Sequence, residues 1–204
     1  MIGIIDYGLG NLTSVAGAVE RLGFEPAISS DPDALGACDK LILPGVGAFG
    51  DGMRNLAERG LIDPLTDLVQ KQLKPVLGIC LGFQLLAKSS DEFGDHAGLG
   101  WIDAKVTRFD PTQKDLRVPH VGWNELYQTG DSILFDEVPD DSLFYYVHSY
   151  KMDTEDSEII IGECDYGGRF VSAVQYGSIF GTQFHPEKSQ RHGLTLLNNF
   201  LEKS

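Results

Sequence analysis

The sequence predicts an α/β fold. It reads as a single domain over residues 1–204, with an open mixed, largely parallel sheet, helices on both faces and antiparallel strands toward the C-terminus. Three observations predict it. In the first half, short apolar runs alternate with segments of helical period, the pattern of strands buried on both faces and joined by crossover helices. In the second half, strand formers dominate and glycine-containing turns separate them, which favours antiparallel hairpins. Finally, 204 residues with a hydrophobic fraction of 42% are enough for one sizeable core, and no repeat or linker divides them.

Each element has a local warrant. "IGIID" (2–6) reads as a buried strand. A helix follows from an Asn11 cap to a Gly23 stop, with Val15, Val19 and Leu22 on one face. "LILP" (41–44) is a second apolar run. The Asp63–Pro64 pair starts another helix, aspartate as N-cap and proline in the first turn, followed by Leu65, Leu68, Val69 and Gln72. "PVLGI" (75–79) is a third strand, and "LGFQLLAK" (81–88) opens the next helix. The β-rich half comprises 101–109, 143–152, 158–166, 169–176 and 178–184, with "YGG" and "YGS" as hairpin turns. A last helix from Ser189 to about Leu201 places Leu194, Leu197 and Leu201 on one stripe.

Composition removes several function classes. A net charge of −14 repels phosphate backbones, so nucleic acid is not an expected partner. No apolar run approaches the roughly 18 residues of a membrane helix. The N-terminus lacks a basic region and carries Asp6 early, unlike a signal peptide. Cys38, Cys80 and Cys164 form neither a CxxC nor a disulfide framework, which fits a reducing cytoplasm. No pair of histidines has metal-ligand spacing, so neither metal nor cofactor is expected.

The chemistry concentrates in two motifs. "GICLG" (78–82) puts Cys80 between glycines where an apolar strand meets a helix. This is the layout of a nucleophile elbow, and a helix N-terminus there favours the thiolate. Taken alone, the motif leaves Cys80 balanced between nucleophile and buried core residue. A thiolate needs a base, and the base an orienting group. "GTQFHPE" (181–187) supplies both: Pro186 holds His185 extended, and Glu187, two residues on, then projects to the same side as the imidazole. Strand-end residues gather at one edge of an open α/β sheet, so the two motifs belong together. His96 reads as solvated, His192 as lying on the exposed side of the last helix, and His120 and His148 as satisfied core or interface histidines.

"PGVGAFG" (44–50) contains a literal G-x-G-x-x-G. A dinucleotide fingerprint should open directly into a helix and be answered by an acidic residue about 20 positions on. Here the motif runs on into "DGM", and Asp63 reads as a helix cap. The better reading is a flexible loop whose backbone N–H groups face a developing negative charge, as acyl chemistry on a thiolate requires.

Together "PGVGAFGDGM", "GICLGFQLL", "HSY" and "GTQFHPEKS", in that order, resemble the class I (triad) glutamine amidotransferase family, whose sheet has a flavodoxin-like core. The resemblance spans nearly the whole chain. It implies that Cys80 attacks the side-chain amide of L-glutamine, His185 moves the proton and Glu187 orients His185, releasing ammonia and then glutamate through a thioester. It also implies that the Leu81 N–H stabilises the oxyanion, with a second donor from Gly45–Val46–Gly47 after a peptide flip. Gly47, Gln84, Ser149 and Tyr150 match positions that hold the substrate's backbone groups. "IDYGLGNLTSV" and "VPHVGWN" are similar to those glutaminase subunits that pass ammonia to a (β/α)₈-barrel cyclase making imidazole glycerol phosphate in histidine biosynthesis, as a heterodimer. By the same resemblance Asn11, Trp123, Asn124 and Lys188 lie at or near that interface. The resemblance also implies that partner and ligand stimulate activity, and the glycines of the Pro44–Gly50 loop, which permit a flip, make that loop the expected switch. A glutaminase serving another synthase and a non-catalytic binding subunit of the same fold remain as alternatives.

Overall fold

The computed structural model describes residues 1–110 and 117–204. In chain order the elements are β1 (Ile2–Ile5), α1 (Leu12–Arg21), β2 (Pro26–Ser29), α2 (Pro32–Gly36), β3 (Lys40–Gly45), α3 (Phe49–Glu58) and α4 (Ile62–Thr66). Then come β4 (Val76–Cys80), α5 (Leu81–Leu85), β5 (Ala87–Ser90), β6 (His96–Ala97), β7 (Ile102–Arg108), β8 (His120–Gln128) and β9 (Ser142–His148). The chain closes with β10 (Tyr150–Asp153), β11 (Ile160–Asp165), β12 (Arg169–Tyr176), β13 (Ile179–Thr182) and α6 (Gln190–Lys203).

The sheet order is β2-β1-β3-β4-β13-β12-β10-β7-β5-β6, and it branches at β12 to take in β11, β8 and β9. From β2 through β13 every pairing is parallel. Beyond β13 it is antiparallel except for β5 with β7. Alternation along the central strands divides the core in two. Ile5, Leu41, Leu43 and Val76 face α2, α3 and α4, whereas Ile4, Ile42, Leu77 and Ile79 face α1 and α6. Each such side chain contributes about 2 kcal/mol on burial. Helix α1 begins where expected: the Asn11 side chain accepts from Ser14 N at 3.3 Å, and Val15, Ala18 and Val19 are buried.

The structure departs from the sequence reading in several places. The Asp63–Pro64 helix starts earlier, with Leu61 at the N-cap and Asp63 in the first turn, and it passes into a π-helical turn, Asp67–Lys71. The helix opened by "LGFQLLAK" is only α5, because residues 87–90 pair as β5. The run 143–152 is two strands, β9 and β10, broken at Ser149. The stripe on α6 is carried by Leu196, Leu197, Phe200 and Leu201, with Leu194 half-buried. The most consequential departure is α3: the "PGVG" loop does open directly into a helix at Phe49. Its glycines explain why the helix was not expected. A Cβ at Gly52 would press within 3.1 Å of Leu85, and one at Gly50 within 2.6 Å of the His96 ring, so close packing replaces helix propensity here. That same ring is half-buried rather than solvated.

Candidate active site

The adjacent carboxyl ends of β3, β4 and β13 build the site. Register puts Gly45 opposite Cys80 and Thr182 opposite Ile79, so Gln183 and His185 emerge beside the end of β4. Cys80 is the hinge between β4 and α5, with φ 54° and ψ −109°. A non-glycine residue there is strained by about 1–3 kcal/mol and persists only because its surroundings hold it. Those surroundings exclude any side chain at the flanking glycines. A Cβ at Gly78 would lie 2.8 Å from Phe83 Cα, and one at Gly82 would overlap the Leu43 carbonyl. One strand over, a Cβ at Gly45 would overlap the hydroxyl of Tyr7, a fully buried group with no hydrogen-bond partner among the described residues.

The Cys80 sulfur is buried, 3.8 Å from the Val147 carbonyl and 3.9 Å from Gln183 Nε2. His185 Nδ1 lies 2.8 Å from Glu187 Oε1, and both side chains are almost fully buried. The approach is not the alternation of an extended segment. Residues Pro186–Lys188 form a 3₁₀ turn that folds the carboxylate back onto the ring. The turn is pinned to β9 by His185 N to Tyr145 O at 2.9 Å and by Ser189 Oγ, which donates to His185 O at 2.6 Å and accepts from Tyr145 N at 3.0 Å. Among the described residues His185 Nε2 has no hydrogen-bond partner. Burial pulls the imidazole down, but the neighbouring Cys80 and the Glu187 bond overcome it and raise its pKa to about 9. The ring therefore stands between the Glu187 carboxyl group that orients it and the Cys80 sulfur.

Beside Cys80 opens a cavity of about 280 Å³ lined in part by Val46, Gly47, Leu81, Gln84, Ser149 and Tyr150. All six residues expected around the substrate thus share one space. Gly47 has φ 119°, a conformation few other residues adopt. Sequence reasoning missed the cavity's Glu92, Pro119, Val147 and His148. Glu92 is mostly buried and accepts from Phe49 N at 2.6 Å, so an internal carboxylate already caps α3 where a nucleotide phosphate would sit. Burial raises the Glu92 pKa, partly offset by that bond.

The four expected interface residues divide. Trp123 is 45% exposed and its ring lies 5.9 Å from that of Tyr145, over which Lys188 Nζ sits at 5.8 Å. Tyr145 in turn packs 6.4 Å from the His185 ring, so this patch leads toward the end of β13. Asn11 is half-buried at the head of α1 as its cap. Asn124, next to Trp123 but on the opposite face of β8, donates inward to Asp165 O at 2.9 Å. His120 and His148 are buried, as expected, and the structure bonds them to each other.

Known proteins bear on this arrangement. A protein from Sulfurimonas denitrificans called imidazole glycerol phosphate synthase subunit HisH is 48% identical over 202 residues, 98% of this chain and 97% of its own. The protein of that name from Leptospira interrogans is 46% identical, covering 98% of both chains. Among solved structures, a glutamine amidotransferase superposes with a TM-score of 0.76 at 21% identity, covering 98% of this chain and 97% of its own, which speaks to fold alone. The glutaminase domain of Trypanosoma brucei CTPS with bound acivicin gives 0.69 at 19% identity, over 100% of this chain and 94% of its own. The family model for glutamine amidotransferase class-I matches residues 3–204, and with the elbow, the histidine and the carboxylate on one sheet edge, the chain belongs to that family.

Proposed function

We propose that residues 1–204 form a single glutamine amidotransferase domain that acts as the glutaminase subunit of an imidazole glycerol phosphate synthase. The observation that carries this is 43–48% identity over essentially full length to proteins of that name. The 2.8 Å His185–Glu187 contact beside Cys80 supports the chemistry.

In this reading the Cys80 thiolate attacks the side-chain carbonyl carbon of L-glutamine. The oxyanion is met by the Leu81 N–H at the head of α5 and, after a peptide flip, by an N–H of the Val46–Gly47 segment. His185, protonated at rest because its pKa is about 9, gives its Nε2 proton to the departing ammonia as the C–N bond breaks and a thioester forms. The now neutral ring takes a proton from water, whose hydroxide opens the thioester, releasing glutamate and restoring the thiolate–imidazolium pair. Glu187 holds the ring throughout. The buried Glu92 carboxylate and Gln84 offer acceptors for the substrate's ammonium, and Gly47, Ser149 and Tyr150 surround its backbone groups.

Ammonia freed into water at neutral pH is mostly ammonium and no longer nucleophilic. The productive route is direct transfer to a (β/α)₈-barrel cyclase subunit. That subunit converts PRFAR to imidazole glycerol phosphate and AICAR, and Trp123, Lys188, Asn11 and Asn124 lie at or near its contact. The Pro44–Gly50 loop, with Gly47 already at positive φ, is the element that switches the oxyanion hole. No helix among the described residues is long and apolar enough to cross a membrane; a cytoplasmic setting without a nucleic-acid or membrane partner belongs to the proposed reading.

The test is a glutaminase assay with and without a barrel cyclase and its ligand. Hydrolysis stimulated by the cyclase and lost by at least about a thousandfold in Cys80→Ala is expected. Hydrolysis that ignores the cyclase, or that survives Cys80→Ala, would overturn the reading. Acivicin should label Cys80 under the stimulated condition.

A further inference from the structure

Two buried titratable rings beside the cavity have no part in the mechanism above. His120 and His148 are 3% and 6% exposed and lie directly opposite each other across β8 and β9. His120 Nδ1 is 2.9 Å from His148 Nε2. Counting hydrogens fixes both rings. His148 Nδ1 lies 2.8 Å from the Tyr150 carbonyl oxygen, which only accepts, so Nδ1 carries the proton and Nε2 of a neutral ring is the acceptor. His120 Nδ1 must then donate, which leaves His120 Nε2 to accept from Asn124 Nδ2 at 3.4 Å. The other hydrogen of that amide goes to Asp165 O. Burial keeps both rings neutral, with pKa values near 4 for His120 and 3 for His148.

The chain of donors does not stop at Tyr150. Its carbonyl also accepts from Gln84 Nε2 at 3.0 Å, using its second lone pair. The remaining Nε2 hydrogen of Gln84 goes to Gln183 Oε1 at 3.0 Å, and Gln183 Nε2 points at the Cys80 sulfur at 3.9 Å. Both hydrogens of Gln84 are therefore spent inside the protein. Only its oxygen is left for the cavity, where it can accept from an ammonium but cannot donate to a carboxylate.

We propose that His120 and His148 are positioning residues. As two neutral rings of fixed tautomer they relay hydrogen bonds from Asn124, beside the exposed Trp123, to the Tyr150 carbonyl, and so set the place and polarity of Gln84 in the glutamine cavity. The kinetic part of this rests on the glutaminase reading; the tautomer part does not.

The full chain, labelled with nitrogen-15 histidine, gives the first test. Both rings should show Nδ1 protonated and Nε2 bare at neutral pH, and should stay so to about pH 5. A proton on His148 Nε2, or a doubly protonated ring at about pH 6, overturns the relay. The second test compares His120→Asn, whose amide nitrogen replaces the Nδ1 donor, with His120→Leu, of similar size but without one. The asparagine variant should keep the glutamine KM within about threefold, while leucine raises it about tenfold with kcat within about threefold. Equal KM values in the two variants overturn the proposal, since a packing role would not distinguish them. If either variant fails to fold, Asn124→Ala, at a half-buried position, decides the point: the His148 Nε2 resonance should move, and an unmoved resonance sinks the relay. Wild type that hydrolyses no glutamine would overturn the glutaminase reading while the tautomers still judge the relay.

Discussion

At Cys80 the backbone is held in a conformation, φ 54° and ψ −109°, that an ordinary side chain resists. Removing the sulfur therefore has two separable consequences. Cys80→Ala and Cys80→Gly should both be inactive, yet the glycine variant should be the more stable by about 1 kcal/mol, reversing the usual order of those residues. Chemical denaturation of the two variants checks this. His185 makes a second prediction. Its pKa near 9 exceeds the unfolded value of about 6.5. Between those values the native state holds more protons than the unfolded state, so the stabilisation is complete below about pH 6.5 and is lost toward pH 9. The stability gap between wild type and His185→Asn should narrow over that window in parallel urea titrations; a constant gap would contradict the assignment. The grouping of Cys80, His185 and Glu187 was legible in the sequence because each lies in a short contiguous motif whose local geometry does most of the placing. Glu92 was not, since nothing local to "DEFGDH" reveals that its carboxylate turns inward to cap a helix begun 43 residues earlier. Nor was the route by which Glu187 meets His185: the pairing was readable, but the 3₁₀ turn that makes it was not.

At the level of elements, close approach outweighs propensity. Helix α5 sits so near β3 that Gly82→Ala would drive a methyl into the Leu43 carbonyl. Loss of about 3 kcal/mol or more, or failure to fold, is expected. Gly17, in the middle of α1 on its exposed side with nothing near its Cβ position, should behave oppositely: Gly17→Ala gains about 0.5–1 kcal/mol. Thermal melts of the pair test whether packing or propensity governs each glycine. The same competition explains which elements the sequence revealed. Strands β1, β3 and β4 are uninterrupted apolar runs and could be read directly. Helix α3 could not, because two of its first four residues are glycines required by Leu85 and His96. Strand β8 was hidden by Gly122 and by an alternation that puts Trp123 and Val121 outward, where no solvent-facing strand normally carries them. Strand β2 begins with a proline and lies at the sheet edge, where proline is tolerated but strand signal is weak.

For the molecule as a whole, the parallel half positions the chemistry and the β8–β9 extension presents the apolar face. Trp123 stands out on that face beside Tyr145, so Trp123→Ala should weaken binding to the cyclase by about tenfold or more, read by calorimetric titration. The buried histidine pair also gives the whole fold an acid limit. Their native pKa values near 4 and 3 lie below the unfolded value. The unfolded chain thus binds more protons as pH falls from about 6.5, and stability present above that pH is lost toward 4. Wild type should lose more stability between about pH 7 and 5 than His120→Asn does, by urea midpoints at the two values.

Glu92 has one more consequence. Its carboxylate holds the Phe49 amide at 2.6 Å while lining the cavity in which an ammonium would settle. A positive ligand there must share those oxygens with the head of α3. The Phe49 amide proton, drawn far downfield by so short a charge-assisted bond, becomes a built-in occupancy gauge: its resonance should drift upfield as the pocket fills, reporting site filling from the opposite side of the wall and without any turnover.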